Sequence, residues 1–176
     1  MNDKLTLGVV SACVLLAAFA IPAQANLLTF TEVGSIDKPP GEGFGRGITF
    51  LGSQMFYSGN VGGFTNIYEL APVTGAILNT INSGVDSIIG LAANPDDGLL
   101  YAAGCCGSTI EKVDPLTGSV IGSLTVGAEN MQGLSISGGK LYASSNNNFT
   151  IYEIDLITGD TLRSLYVGDI QTDWGF

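Results

Sequence analysis

The stretch "YEIDLITGDTLRSL", residues 152–165, has two counterparts in the same chain, "YELAPVTGAILNTI" at 68–81 and "EKVDPLTGSVIGSL" at 111–124. Their Thr-Gly pairs, Thr74-Gly75, Thr117-Gly118 and Thr158-Gly159, lie 43 and 41 residues apart. Each pair reads as a turn, because Asp or Pro favours turn initiation and glycine supplies the positive φ that completes it. A turn of this kind fully accounts for Asp114 and Asp155, so neither needs a catalytic role.

Working outward, each copy also opens alike. The openings are "GITFLGSQMFYSGN" from Gly47, "GLAANPDDGLLYAAG" from Gly90 and "GLSISGGKLYASSN" from Gly133, each followed by a strand bearing Ile67, Ile110 or Ile151. Every repeat thus offers four short strands, A to D, at roughly 47–51, 54–59, 65–71 and 76–81 in the first. A four-stranded repeat of just over 40 residues has the period of a propeller blade. The 25 glycines and 6 prolines, spread along the chain, suit short strands and tight turns. The expected fold is therefore all-β: a β-propeller of four-stranded antiparallel blades at about 45–83, 88–127 and 131–168. Tyr57, Tyr101 and Tyr142 are expected to share one strand-B position and to pack blade on blade.

In this register "WGF" at 174–176 matches "IGL" at 89–91 and "QGL" at 132–134, so 172–176 reads as the start of a further blade. At the other end, "LTFTEVGSI" at 28–36 reads as a lone strand D. Three complete blades fall below the usual minimum of about four for a closed ring. Two expectations follow: a truncated piece of a larger propeller, which is preferred, or copies that associate as a homo-oligomer to complete the ring.

Lys4 precedes an apolar run from Leu5 to Ile21, and Ala23 and Ala25 occupy the small-residue positions of a signal-peptidase site. Residues 1–25 are read as a cleaved signal peptide, residues 26–176 as the propeller repeats, and the location as secreted or periplasmic. No membrane span is expected after cleavage. Of the three cysteines only Cys105 and Cys106 would then remain, in an oxidising compartment.

Net charge is −10 with a pI near 4.1, so nucleic acid is excluded as a partner, whereas cations such as calcium are attracted. The chain has no histidine, which removes Ser-His-Asp and Cys-His catalysis and imidazole zinc sites. No paired general acid and base can be placed within reach of one another.

The Leu-Tyr strand, the Ile-Tyr-Glu-Ile-Asp run and the Thr-Gly turn together resemble the repeats of bacterial extracytoplasmic propellers of the YVTN and quinoprotein-like (PQQ-type) kind, over about residues 45–176. That resemblance implies a span of functions, from quinoprotein dehydrogenases, glutaminyl cyclases and lactonases to surface and assembly proteins without chemistry. The aromatic residue that quinoprotein repeats carry after the turn is absent, with Asn79, Gly122 and Arg163 in its neighbourhood, which argues against a quinone cofactor.

The B-to-C loops at 59–64, 104–107 and 144–149 are expected on one face with the D-to-A linkers. That face collects Asp86, Glu129, Asn130, Asp169 and Asp173, with Asn146 and Asn147 beside them. Such a group could hold calcium or hydrogen-bond a polar ligand, or be a solvated acidic rim. Adjacent Cys105 and Cys106 allow a vicinal disulfide, pairing with another chain, or free thiols. Quinoprotein alcohol dehydrogenases with a vicinal disulfide share only that dipeptide. Asn148-Phe149-Thr150 fits a glycosylation sequon but is more simply a polar turn, and Arg46 and Trp174 stand at blade openings. The reading is a non-enzymatic binding module for a protein, glycan or cell-surface component; the alternative is a fragment of a propeller enzyme, either quinoprotein-like or a calcium-dependent lactonase or cyclase.

Overall fold

The computed structural model describes residues 35–36, 39, 44–60 and 66–168. The chain divides into two units, Met1–Ser35 and Ile36–Phe176, and everything below concerns the second. The signal peptide, nearly all of the lone strand at 28–36, most of the first B-to-C loop and the start of a further blade at 172–176 lie outside the described residues.

Twelve strands and no helix make up the described residues, in three four-stranded antiparallel sheets. The first contains β1 (Phe44–Leu51), β2 (Gln54–Asn60), β3 (Ile67–Leu70) and β4 (Ile77–Ile81). The second contains β5 (Ile88–Asn94), β6 (Leu99–Gly104), β7 (Thr109–Val113) and β8 (Val120–Thr125). The third contains β9 (Met131–Ser137), β10 (Lys140–Ser145), β11 (Thr150–Asp155) and β12 (Thr161–Tyr166). Within each sheet the strands pair in chain order, and β5 packs against both β1 and β9. These are consecutive blades of a partial β-propeller, with β1, β5 and β9 innermost.

Period-two alternation divides each sheet into two apolar faces. The face of the first sheet that looks toward the second presents Phe56, Ile67 and Ile81; they meet Leu91, Ala93, Leu100, Ala102 and Val113 in a buried cluster. Tyr101, Ala103, Ile110 and Leu124, on the opposite face of the second sheet, meet Leu141, Ala143 and Ile154 of the third. One junction is thus built twice, the forward face of one sheet seating the back face of the next. Every residue of β5 is buried because it stands between two neighbours.

The junctions dictate the glycine that opens each blade. A Cβ on Gly47 would lie 2.6 Å from the Cβ of Leu91, and one on Gly90 would lie 2.9 Å from Cγ of Leu134 and 3.3 Å from the Gln132 carbonyl oxygen. Inner strands approach so closely that no side chain fits there. The Thr-Gly turns are closed by their side chains. Asp114 Oδ1 accepts the Leu116 N–H at 2.8 Å, and the Thr117 hydroxyl donates to Asp114 Oδ2 at 2.9 Å. Asp155 Oδ1 likewise accepts the Ile157 and Thr158 N–H groups, both at 2.8 Å. These bonds hold both carboxyls below the usual carboxylate range. The first turn carries Ala71 instead and is closed by two backbone bonds, Gly75 N–H to the Ala71 carbonyl and Ala71 N–H to the Ala76 carbonyl, both 2.8 Å, with Thr74 Oγ1 accepting from Ala76 N–H.

Strand register corrects one sequence reading. Tyr101 pairs with Lys112 and Tyr142 with Glu153, but in the first sheet Phe56 pairs with Glu69, while Tyr57 lies one residue on, paired with Tyr68. The shared aromatic position is therefore Phe56, Tyr101 and Tyr142. Tyr57 faces the other way, in a cluster with Met55, Tyr68 and Leu70. The A-to-B connection has four residues in the second blade but two in the first and third, and with that allowance counting from the opening glycine lands on Phe56, Tyr101 and Tyr142. Because Phe56 and Tyr57 are both aromatic, alignment on the tyrosine letter slips by one.

Candidate functional site

The B-to-C loops and D-to-A linkers meet on one face through backbone hydrogen bonds. Cys105 N–H donates to the Ser87 carbonyl at 2.9 Å, Asn130 N–H to the Gly107 carbonyl at 3.2 Å, and Asn146 N–H to the Asn130 carbonyl at 3.3 Å. Gly104 is required by the first approach, since a Cβ there would sit 2.7 Å from the Asp86 carbonyl oxygen.

Two groups of the expected residues result. In one, Asn130 donates from Nδ2 to Asn147 Oδ1 at 3.0 Å, Asn146 is joined by the backbone bond above, and the Ser145 hydroxyl donates to the carbonyl of Glu129 at 2.8 Å. Beside it a recess of about 240 Å³ is lined by Gln132, Ser145, Asn146, Phe149, Thr150 and Val167. In the other, Asp86 stands with Cys105 in an open cleft of about 340 Å³ that also takes in Gly104, Gly107, Thr109 and Glu111. The 104–107 loop joins the two groups. Asp169, Asp173 and Trp174 lie outside the described residues.

Cys105 and Cys106 are exposed free thiols. Hydrogen bonding to Cys106 and then burial push the Cys105 thiol up from its ordinary value, with Asp86 adding to the rise and Arg46, within electrostatic reach, opposing it. A thiol held protonated is a poor nucleophile. Among the described residues no group of three or more Cys, Asp or Glu is gathered where it could hold a metal ion. What the face offers is amide and hydroxyl hydrogen bonding, with the carboxylates of Asp86 and Glu111 and two thiols beside it.

Sequence reasoning missed the backbone of this face. The non-glycine residues with positive φ among those described are Ser87 (47°), Cys106 (65°), Asn130 (53°) and Phe149 (51°), and all four sit in these loops and linkers. The turns of the opposite face use glycine for the same conformation, as at Gly52, Gly98, Gly118 and Gly159. Only Asn130 carries a residue type that announces it. Asn148 explains the rest of its own loop: it donates to the Tyr152 hydroxyl and its carbonyl accepts from Thr150 Oγ1 at 3.0 Å.

No protein-family model matches the chain, and no curated protein is similar to it in sequence. In fold it is similar to the crystal structure of Myxococcus xanthus glutaminyl cyclase, with a TM-score of 0.59 and 19% identity over 70% of this chain and 53% of that one. It is also similar to hydrazine synthase of Kuenenia stuttgartiensis, with a TM-score of 0.55 and 23% identity over 80% of this chain and 40% of that one. The chain therefore spans about half or less of the length of these two proteins, and at such identities the likeness is one of fold: three blades of a β-propeller.

Proposed function

We propose that this chain is an exported propeller-type binding module, of the YVTN-like kind, that takes a protein, glycan or other cell-surface component on the face built by its B-to-C loops and D-to-A linkers. The observation that carries the reading is the concentration of left-handed non-glycine residues on that face. Each costs on the order of 1–3 kcal/mol, persists only where its surroundings hold it, and is a recurrent mark of ligand clamps. Asn130 is both one of these residues and the partner of Asn147, which places an amide pair on a backbone that is held in advance. The apolar leader with its small-residue cleavage site supports export.

A second reading, a portion of a propeller enzyme, draws on Cys105 beside Asp86 in the larger cleft. The raised thiol weighs against a nucleophile, and the described carboxylates do not form the oxygen cage that calcium requires.

The test is an amide-resolved NMR titration of the exported chain with soluble polysaccharides and cell-wall glycan fragments, repeated with calcium and with a chelator. Shifts at Asn130, Asn146, Asn147 and Cys106, with binding weakened by Asn130→Ala and Asn147→Ala, are expected. Shifts confined to the Thr-Gly turns, or binding indifferent to both substitutions, would sink the reading. A quinone absorbance appearing on reconstitution would favour the enzyme.

A further inference from the structure

The repeated junction has two halves, and both halves recur on the outward faces of the stack. On the forward face, Ile67 and Ile110 are buried, and at the same position of the third sheet Ile151 is 37% exposed. Their β-partners Ile81 and Leu124 are buried, whereas Leu165 is 59% exposed. On the back face, Leu91 and Ala93 are buried against the first sheet, whereas their counterparts in β1, Ile48 and Phe50, are 61% and 55% exposed.

The glycine seats identify what fits. Gly47 makes room for Leu91 and Gly90 for Leu134. Gly133 holds the same place in the third sheet, is exposed, and a Cβ there would meet nothing within 4 Å except its own sheet's Ser144. The residue that stands where Leu91 and Leu134 stand, and has no such seat beneath it, is Ile48.

We propose that two copies of this chain close one ring, the forward face of β9–β12 in each copy seating the back face of β1–β4 in the other, with Ile48 over Gly133. The occupant is a second copy because one chain carries both complementary halves, on opposite faces of the stack, in the register its own junctions already use. Two sets of the three described sheets make six, inside the range of about four to eight blades in closed propellers. Contacts between unlike patches form a ring when the rotation closes and a filament when it does not. Apolar patches rimmed by polar groups, here the Glu153–Arg163 ion pair two residues along from the Ile151–Leu165 pair, mark surfaces that associate.

Sedimentation equilibrium on the exported full chain, over about 1 to 100 μM, should give a particle of two chains. Ile48→Glu on one face and Leu165→Glu on the other should each weaken association at least tenfold, by burying an unpaired charge, and Gly133→Leu should do so by filling the seat. Circular dichroism of the separated chains should be unchanged, since Ile48 and Leu165 are exposed. A single chain at every concentration overturns the proposal. So does an open series of larger assemblies, and so does a dimer that only one of the two charged substitutions dissociates, which would mean a face pairing with its own kind.

Discussion

The second and third sheets carry the same repeat and differ in what stands beside them. All seven residues of β5 are buried, while β9 shows only Met131 buried and its serines exposed. Ile110 and Ile151 occupy one repeat position, yet the middle sheet encloses its copy and the third leaves its own partly open. Burial in this fold is a property of having a neighbour on both faces, and the energetic weight of a repeat position follows the neighbour and not the letter.

The largest expected effect comes from the equivalent isoleucines. Ile110→Ala should cost about 3 kcal/mol in chemical denaturation, against about 1 kcal/mol for Ile151→Ala in dilute chains, because only the first leaves a cavity walled on all sides. Equal losses would erase the comparison. Gly90→Ala should cost about 1–2 kcal/mol, since the Leu134 side chain can shift but the Gln132 carbonyl cannot, whereas Gly133→Ala should cost less, because the Ser144 hydroxyl 2.8 Å from the new Cβ is a side-chain group that can turn aside. Ser58, buried with no hydrogen-bond partner, holds the place that Ala103 takes in the second sheet. Ser58→Ala should therefore raise stability by up to about 1 kcal/mol, read as a higher melting temperature.

The Thr-Gly turns give a smaller contrast between blades. Asp114→Ala should lower the melting temperature and Ala71→Asp should raise it, by removing or building the same pair of bonds. Asp114 and Asp155 have their folded pKa values depressed by backbone donors, and Glu153 by Lys140 and Arg163. Their contribution to stability is present above the unfolded carboxylate values near about 4 and is lost as pH falls through the lower folded values. Melting temperatures from pH 7 to 3 should decline, and Asp114→Asn with Asp155→Asn should flatten that decline. At the alkaline end, burial and the 2.7 Å bond to Asp97 push the Tyr101 phenol up to about 12. Its raised value stabilises the fold below about pH 10 and that support disappears as pH climbs toward 12; a late ultraviolet titration step should vanish in Tyr101→Phe.

Where chemistry forces a residue type, the sequence is legible. The Thr-Gly turns need a left-handed residue, and the opening glycines need the absence of a side chain, so both recur in letters and the repeat can be counted. Tyr57 misled because Phe56 and Tyr57 are both aromatic and adjacent strand residues point to opposite faces, so aligning on the tyrosine picks the wrong face. The loop face was legible in Asn130, Asn146 and Asn147, which the structure joins, and not in Ser87 or Phe149, whose backbone angles are imposed by surrounding hydrogen bonds that no local letter records. Asp86 and Glu129 are separated because each follows its own linker onto the face.

The unequal A-to-B connections have a consequence for engineering. Two residues at Gly52 and Ser53, four from Pro95 to Gly98, and two at Gly138 and Gly139 all leave the downstream pairing intact. The C-to-D turn has no such slack, because a Cβ at Gly159 would already lie 2.7 Å from the Thr125 carbonyl oxygen of the preceding blade. A tag or epitope grafted between Gly138 and Gly139 therefore rides on the scaffold, while the same graft at Thr158 and Gly159 pries two blades apart.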